Sequence, residues 1–276
     1  MATDAEAVEH SAYKPGGFSL ITALAVLSLF MSTMPSLAWA YVLEAPHVLE
    51  LTARAMGRIA SLEVSQKLLV YAQEPDDAPT VFDETAIYIP PERFRSDLAS
   101  DGIQRTHLVF GNSSLTLTDG RLSQDQNPLD AYQHLLRSRT RKHLMRTLHR
   151  LKVETAISSL GRLDNSIVFV IGARYPDESV SQLAVNKETF LPARLLLVDG
   201  ENGQQFEIVY QNWQRHRKAV FPYHILFYIN GRLDREIRVV NLRLNPSVPA
   251  DKMDLEALRT QVVETDAVIP QPNMNW

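Results

Sequence analysis

His134, His143 and His149 fall in one stretch of helical pattern, and two histidines four apart on a helix face are what a zinc centre would need. No two of these three are four apart, so that face does not form. His107, His216 and His224 are scattered through strand-like text and read as unrelated surface or strand residues. The acid pairs, Asp76-Asp77 and Asp251 with Asp254, sit in loop or helix-cap settings whose spacing defines no general acid and base. There is no Gly-x-Ser-x-Gly elbow, no HExxH and no phosphate loop. These residues name no catalytic group, no metal site and no cofactor, and the chain does not read as an enzyme.

The elements around them are mostly strands. Between Ser166 and Leu244, apolar runs are broken at Asp199-Gly200, Asn202-Gly203 and Asn230-Gly231, pairs that tolerate positive φ at a tight connection. Strands are predicted at Ser166–Ala173, Gln182–Asn186, Arg194–Val198, Phe206–Gln211, Tyr223–Ile229 and Arg235–Leu244. An earlier set is predicted at Leu62–Tyr71, Val81–Ile89, Arg93–Leu98, Ile103–Phe110 and Ser114–Thr118. Breaks at Pro90-Pro91, Asp101-Gly102, Gly111-Asn112 and Asp119-Gly120 separate the members of that set. In the first of these strands Leu62, Val64, Gln66, Leu68 and Val70 share one face.

Helices are predicted at Pro46–Ser61, with Leu49, Ala53, Met56 and Ala60 on one side, and between Asp130 and Val153. Ser138-Arg139-Thr140 divides the second of these. A short helix is expected near Asp251–Val263. The fold class is therefore α+β, a curved antiparallel sheet with a helical insertion. Ile167–Ile171 and Tyr223–Ile229 are apolar on both faces, so the sheet needs cover on both sides, by protein or by a ligand.

The first 40 residues read as an export signal. Phe18–Met31 is an apolar core of about 14 residues, too short to span a bilayer, and Ala38 and Ala40 supply small residues for cleavage after Ala40. The alternative is an uncleaved signal holding the protein at the inner membrane, because Asp4, Glu6 and Glu9 outweigh Lys14 in the leading segment. Cleavage would take the formal charge from −4 to −2, which gives no reason to expect nucleic acid. With no cysteine, neither a disulfide nor an N-terminal lipidated Cys is available, so a hydrophobic core must hold a single domain over residues 41–263. Residues 264–276, with Pro270 and Pro272, read as a disordered tail.

Helix, meander, helical insertion and second meander follow one another in an order that resembles the LolA/LolB-like superfamily of outer-membrane lipoprotein carriers. The text that carries the resemblance is Val185-Asn186-Lys187-Glu188-Thr189-Phe190-Leu191-Pro192-Ala193-Arg194-Leu195, a strand–turn–strand unit. Ser159-Leu160-Gly161-Arg162, Val170-Ile171-Gly172-Ala173, Phe221-Pro222 and Leu244-Asn245-Pro246 accompany it. These are turn and strand-start devices rather than catalytic motifs.

The resemblance implies an incomplete antiparallel barrel, a half-barrel whose concave face is covered by helices around an apolar cavity. It implies a monomeric periplasmic carrier, in a Gram-negative-type bacterium, of the acyl chains of lipoproteins or other lipids. Inner-membrane releasing and outer-membrane receiving proteins would be its partners. Relatives of that fold instead sense or contact proteins in the envelope, which is the alternative reading.

Candidate cavity residues, taken from strand alternation, are Tyr88, Phe110, Phe169, Phe206, Ile208, Tyr210, Trp213, Ile225 and Phe227; ordinary core is the competing reading of each. Arg137, Arg139, Arg141, Lys142, Arg146 and Arg150 are candidates for docking on a membrane or an acidic partner. A solvated face of a helix that simply covers the sheet is the competing reading there.

Overall fold

A computed structural model describes residues 42–72, 78–100, 102–123, 128–260 and 262. The proposed signal, its cleavage site, most of the loop at Glu74–Pro79 and the C-terminal tail lie outside the described residues. Helix α1 (Ala45–Met56) leads into a first meander of β1 (Leu62–Val70), β2 (Thr80–Ile89), β3 (Arg93–Ser100), β4 (Ile103–Phe110), β5 (Ser113–Thr118) and β6 (Arg121–Ser123). A 3₁₀ turn (Pro128–Ala131), α2 (Tyr132–Arg137) and α3 (Arg141–Arg150) form the insertion. The second meander is β7 (Ser158–Leu163), β8 (Ser166–Ile171), β9 (Gln182–Asn186), β10 (Pro192–Val198), β11 (Gln205–His216), β12 (Ala219–Ile229) and β13 (Arg232–Leu244). A second 3₁₀ turn (Asp251–Met253) and α4 (Leu255–Arg259) follow.

All 13 strands of the described residues belong to one antiparallel sheet, ordered β6-β5-β4-β3-β2-β1-β13-β12-β11-β10-β9-β8-β7. Two meanders thus meet where the first strand pairs the last, Leu62 opposite Leu244 and Val70 opposite Arg235. The sheet is open, with β6 and β7 at its edges. Among the described residues no helix is long and apolar enough to cross a membrane.

Turn chemistry sets the hairpins where the sequence placed them. Asn230 and Gly231 both take positive φ, 49° and 77°, and join β12 to β13 in two residues; Asp119 and Gly120, at 52° and 75°, do the same for β5 and β6. Asp199-Gly200 and Asn202-Gly203 fall in one longer connection between β10 and β11, closed by Asp199 N–H donating to the Gln204 carbonyl.

Helix α1 stops at Met56, short of Ser61, because Gly57 leaves the helical region with φ 73° and ψ 175°. Gly57 bridges Ala219 of β12, and a Cβ there would lie 1.9 Å from the Lys218 carbonyl oxygen.

Alternation decides which side is covered. Val64, Leu68, Tyr88, Phe94, Val109, Phe169, Leu183, Leu195, Ile208, Ile225 and Ile237 belong to one main core with α1, α2 and α3. Val48, Leu49 and Met56 of α1, Leu135 and Leu136 of α2, and Leu144 and Leu148 of α3 are fully buried there. The outer face carries smaller clusters. Ile87, Leu108 and Leu117 pack under Met253 and Leu258, so the C-terminal 3₁₀ turn and α4 strap the back of the first meander. Val168, Val170 and Ala184 form the other, on the back of β8 and β9. Both faces of β8 are thereby covered by protein.

Candidate functional site

The concave face carries two kinds of surface. Most of it, on strands of both meanders, is apolar and filled. Tyr132 of α2 stands edge-on to Phe227 and to Phe94, with ring centroids 5.5 and 6.1 Å away, while Tyr88 packs on Phe94 and Phe221. Tyr210 adds a polar tie, its hydroxyl donating to the Tyr132 carbonyl at 3.3 Å. The helical cover therefore occupies the apolar surface with its own side chains.

On the same face a polar row interrupts the apolar residues of the first meander. Gln66 of β1 donates to Glu84 of β2 at 2.7 Å, and Ser96 of β3 donates to the other carboxylate oxygen. His107 of β4 shares a 2.8 Å bond with Thr116 of β5 through Nδ1. All five are buried. Burial pushes the Glu84 carboxyl above the usual range, against the lowering pull of its Ser96 and Gln66 bonds. A group that holds its proton more tightly when folded binds more protons in the native state. Stability therefore falls as pH rises from the unfolded carboxylate value through the raised folded one. Glu84→Gln keeps the shape and removes that charge. At a pH where the native carboxyl is ionised, the variant is expected to melt a few degrees higher and to lack the decline with rising pH; a pH series of thermal melts checks both.

Between the His107–Thr116 end of this row and the insertion lies a cavity of about 860 Å³, lined by His107, Val109, Asn112, Ser114, Thr116, Asp130, Gln133, His134, Arg150, Leu151 and Leu197, among others. Its volume is in the range of small-molecule sites, about 300–1,000 Å³. Asp130 pairs with Arg105 at 3.4 Å, and Arg150 donates to Asn112 at 2.9 Å on the rim. Arg137 donates to the Glu92 carbonyl at 2.7 Å and to His134 Nδ1 at 2.6 Å. Accepting that bond leaves the His134 proton on Nε2. Burial, with Arg137 and Arg150 beside it, takes the His134 pKa down to about 3, so the ring is neutral. Gln133 Nε2 stands 3.5 Å from His134 Nε2, and Gln133 Oε1 has no partner among the described residues. A protonated Nε2 favours the amide oxygen facing it; in either orientation one polar end of Gln133 is left to whatever fills the cavity.

Of the aromatic and aliphatic candidates, Tyr88, Phe169, Ile208, Tyr210, Ile225 and Phe227 are buried in the main core, and Phe206 and Trp213 are half-buried against it. Trp213 lies within β11 and donates to the Pro192 carbonyl at 3.0 Å. Phe110 is on the outside, 39 % exposed, under the Arg93 guanidinium. None of the nine lines the 860 Å³ cavity. Of the basic candidates, Arg141, Lys142, Arg146 and Arg150 are exposed, whereas Arg137 and Arg139 are buried. Burial lowers both guanidinium pKa values to about 10, Arg150 adding to the effect at Arg137.

His107 and His134, separate in the sequence, share the cavity wall. A polar residue at an inward strand position, Gln66 among Leu62, Val64 and Leu68, was the legible signal for the buried polar row, not for this cavity wall. Among the described residues no group of three or more His, Asp or Glu side chains is placed to hold a metal ion.

The open antiparallel sheet with its helical insertion is similar in fold to three solved structures. An outer-membrane lipoprotein-sorting protein domain from Vibrio parahaemolyticus superposes with a TM-score of 0.55 at 10 % identity, covering 78 % of this chain and 100 % of that one. A LolA superfamily protein from Nitrosomonas europaea gives 0.52 at 14 % identity, over 78 % and 99 % of the two chains. A DUF1329 family protein from Desulfovibrio piger gives 0.51 at 8 % identity, over 78 % and 98 %. No family model matches the sequence, and no curated protein matches it either.

Proposed function

We propose that the protein is an exported, non-catalytic carrier that takes the acyl part of a lipoprotein or other amphiphile under its helical cover. The observation that carries this reading is the juxtaposition of an 860 Å³ cavity of mixed polarity with an apolar concave face covered by the chain's own helices. The lipoprotein-sorting description of a structural neighbour supports it. Each methylene moved from water contributes about 0.8 kcal/mol, so a chain of a dozen carbons offsets the cost of displacing several helical side chains. Polar ties from the cover include Arg137 to Glu92, Arg139 to Met56 and Val220, Tyr210 to Tyr132, Arg105 to Asp130 and Arg150 to Asn112. Lifting the cover opens the apolar surface and joins it to the polar cavity, where a headgroup meets Gln133 and Arg150. Export places this work in the periplasm, between releasing and receiving membranes.

Native mass spectrometry of protein purified without detergent tests the reading. Extra mass that dissociates as a lipid or acylated species is the expected result, together with its loss in a folded Leu197→Arg variant, which charges the cavity wall. Protein that remains apo after incubation with lipids and acylated peptides overturns it. That outcome favours a second reading, an envelope module that binds a protein partner. The buried row Gln66–Glu84–Ser96 and His107–Thr116 supports it, because these groups satisfy one another without cargo.

A further inference from the structure

Three chain segments bring exposed cations to one end of the sheet. The antiparallel register puts the β11–β12 turn at the same end as the start of β1 and the β2–β3 and β4–β5 turns. Gly57 seats the end of α1 directly on that hairpin through its bridge to Ala219. Arg139 ties the start of α3 to both, donating to the carbonyls of Met56 at 2.7 Å and Val220 at 3.2 Å. The side chains next to these junctions are Arg58, Arg141, Lys142, Arg217 and Lys218, and all five are exposed. Among the described residues none of the five forms an ion pair, although Arg54 of α1 is paired with Glu50. The concentration is notable in a chain whose formal charge is −4.

We propose that this composite patch docks the protein on an anionic phospholipid bilayer. A protein interface of comparable strength relies on several buried aromatic or aliphatic anchors; of the described exposed large hydrophobic residues, Val81, Leu122, Ile167, Tyr175, Val180 and Val240 belong to none of the three segments, and Phe110, at the β4–β5 turn, lies under the Arg93 guanidinium. A polybasic surface needs no such anchor: each Lys or Arg held near anionic headgroups strengthens binding about fivefold, within a Debye length of the surface. Tyr223 stacks on His216 beside the turn, 5.5 Å away, and gives the hairpin an amphipathic ring at headgroup depth. Docking is a property of the exterior and holds whether or not the cavity carries cargo.

Co-sedimentation of the cargo-free protein with vesicles tests it, using phosphatidylcholine alone and an equimolar mixture with phosphatidylglycerol. Binding is expected to the anionic vesicles only and to weaken as ionic strength rises. Arg217→Ser with Lys218→Ser is expected to lower the apparent affinity by about 30-fold, and Arg141→Ser with Lys142→Ser by a similar factor. Arg121→Ser, at the opposite end of the sheet, is expected to leave it within about fivefold of wild type, the effect of a single charge. Circular dichroism confirms that each variant is folded. Absence of binding to phosphatidylglycerol vesicles at low salt overturns the proposal, as does binding that both paired variants retain.

Discussion

Replacing Arg139 by leucine is expected to lower the melting temperature by about 10 °C and to loosen the insertion before the sheet. The guanidinium donates to three carbonyls, of Leu136, Met56 and Val220, at 2.8, 2.7 and 3.2 Å. It thereby joins the α2–α3 junction to α1 and to β12. Three independent charge-assisted bonds would sum to about 6 kcal/mol. Burial has already consumed part of that, as the fall of the Arg139 pKa to about 10 records. A net loss of about 3 kcal/mol remains, most of it the cost of leaving buried carbonyls without donors. Leucine fills much of the space without supplying a donor. Hydrogen exchange over residues 128–150 should quicken while β11 and β12 stay protected. A variant with wild-type stability and protection would show that the insertion is held by apolar packing alone.

Gly57→Ala should be about as damaging for a different reason. The new methyl would meet the Lys218 carbonyl oxygen at 1.9 Å, backbone against backbone, with no flexible side chain to move aside. The conformation itself, φ 73° and ψ 175°, belongs to glycine and costs another residue about 1–3 kcal/mol. Together these predict about 3 kcal/mol and a drop of about 10 °C. Gly102→Ala separates the two causes. Gly102 also has positive φ, 83°, but nothing lies within 4 Å of its added methyl, so only the backbone term applies and the drop should be smaller. Equal effects at both positions would mean that the contact with Lys218 yields freely. If α1 does lift from the hairpin in Gly57→Ala, Arg58 also parts from Arg217 and Lys218, and vesicle binding should weaken with it.

Much of the sheet could be read in advance because its turns are encoded locally. Asn230-Gly231 and Asp119-Gly120 each specify a two-residue connection, and Ile103–Phe110 and Gln182–Asn186 appear with the bounds their alternation predicts. Polar residues hid the rest. β11 runs on to His216 through Gln211, Asn212 and Gln214, since β-ladder bonds to β12 hold a strand whose own side chains carry no pattern. β6 and β7 escaped notice for a related reason: one has three residues and the other has Gly161 near its middle. The break in the insertion at Ser138–Thr140 was visible because Thr140 caps α3, accepting from His143 N–H.

The site was far less legible. Strand alternation identifies inward residues but not how far the insertion fills the space above them. Tyr88, Phe227 and Tyr210 thus face inward and touch protein, while the open volume lies over His107 and Thr116. Likewise, charge runs along a helix do not reveal which arginines turn inside to satisfy carbonyls. Arg137 and Arg139 do, and Arg141 and Lys142 two and three positions on do not.

The seam between β1 and β13 governs how the molecule can be made. Ser61 and Asn245, 184 positions apart, are joined by a backbone-to-side-chain bond at the end of that seam. A nascent chain emerging from its N-terminus can assemble β1 to β6 as local hairpins, yet β1 keeps one row of unpaired amides until the final strand arrives. Contacts so distant in sequence form late and slowly, and an open strand edge is the feature most prone to pairing with another chain. The last-made strand is therefore the one that closes the middle of the sheet. A chain cut short before Arg232 would lack the strand that pairs the two meanders and leave side-chain packing alone to join them.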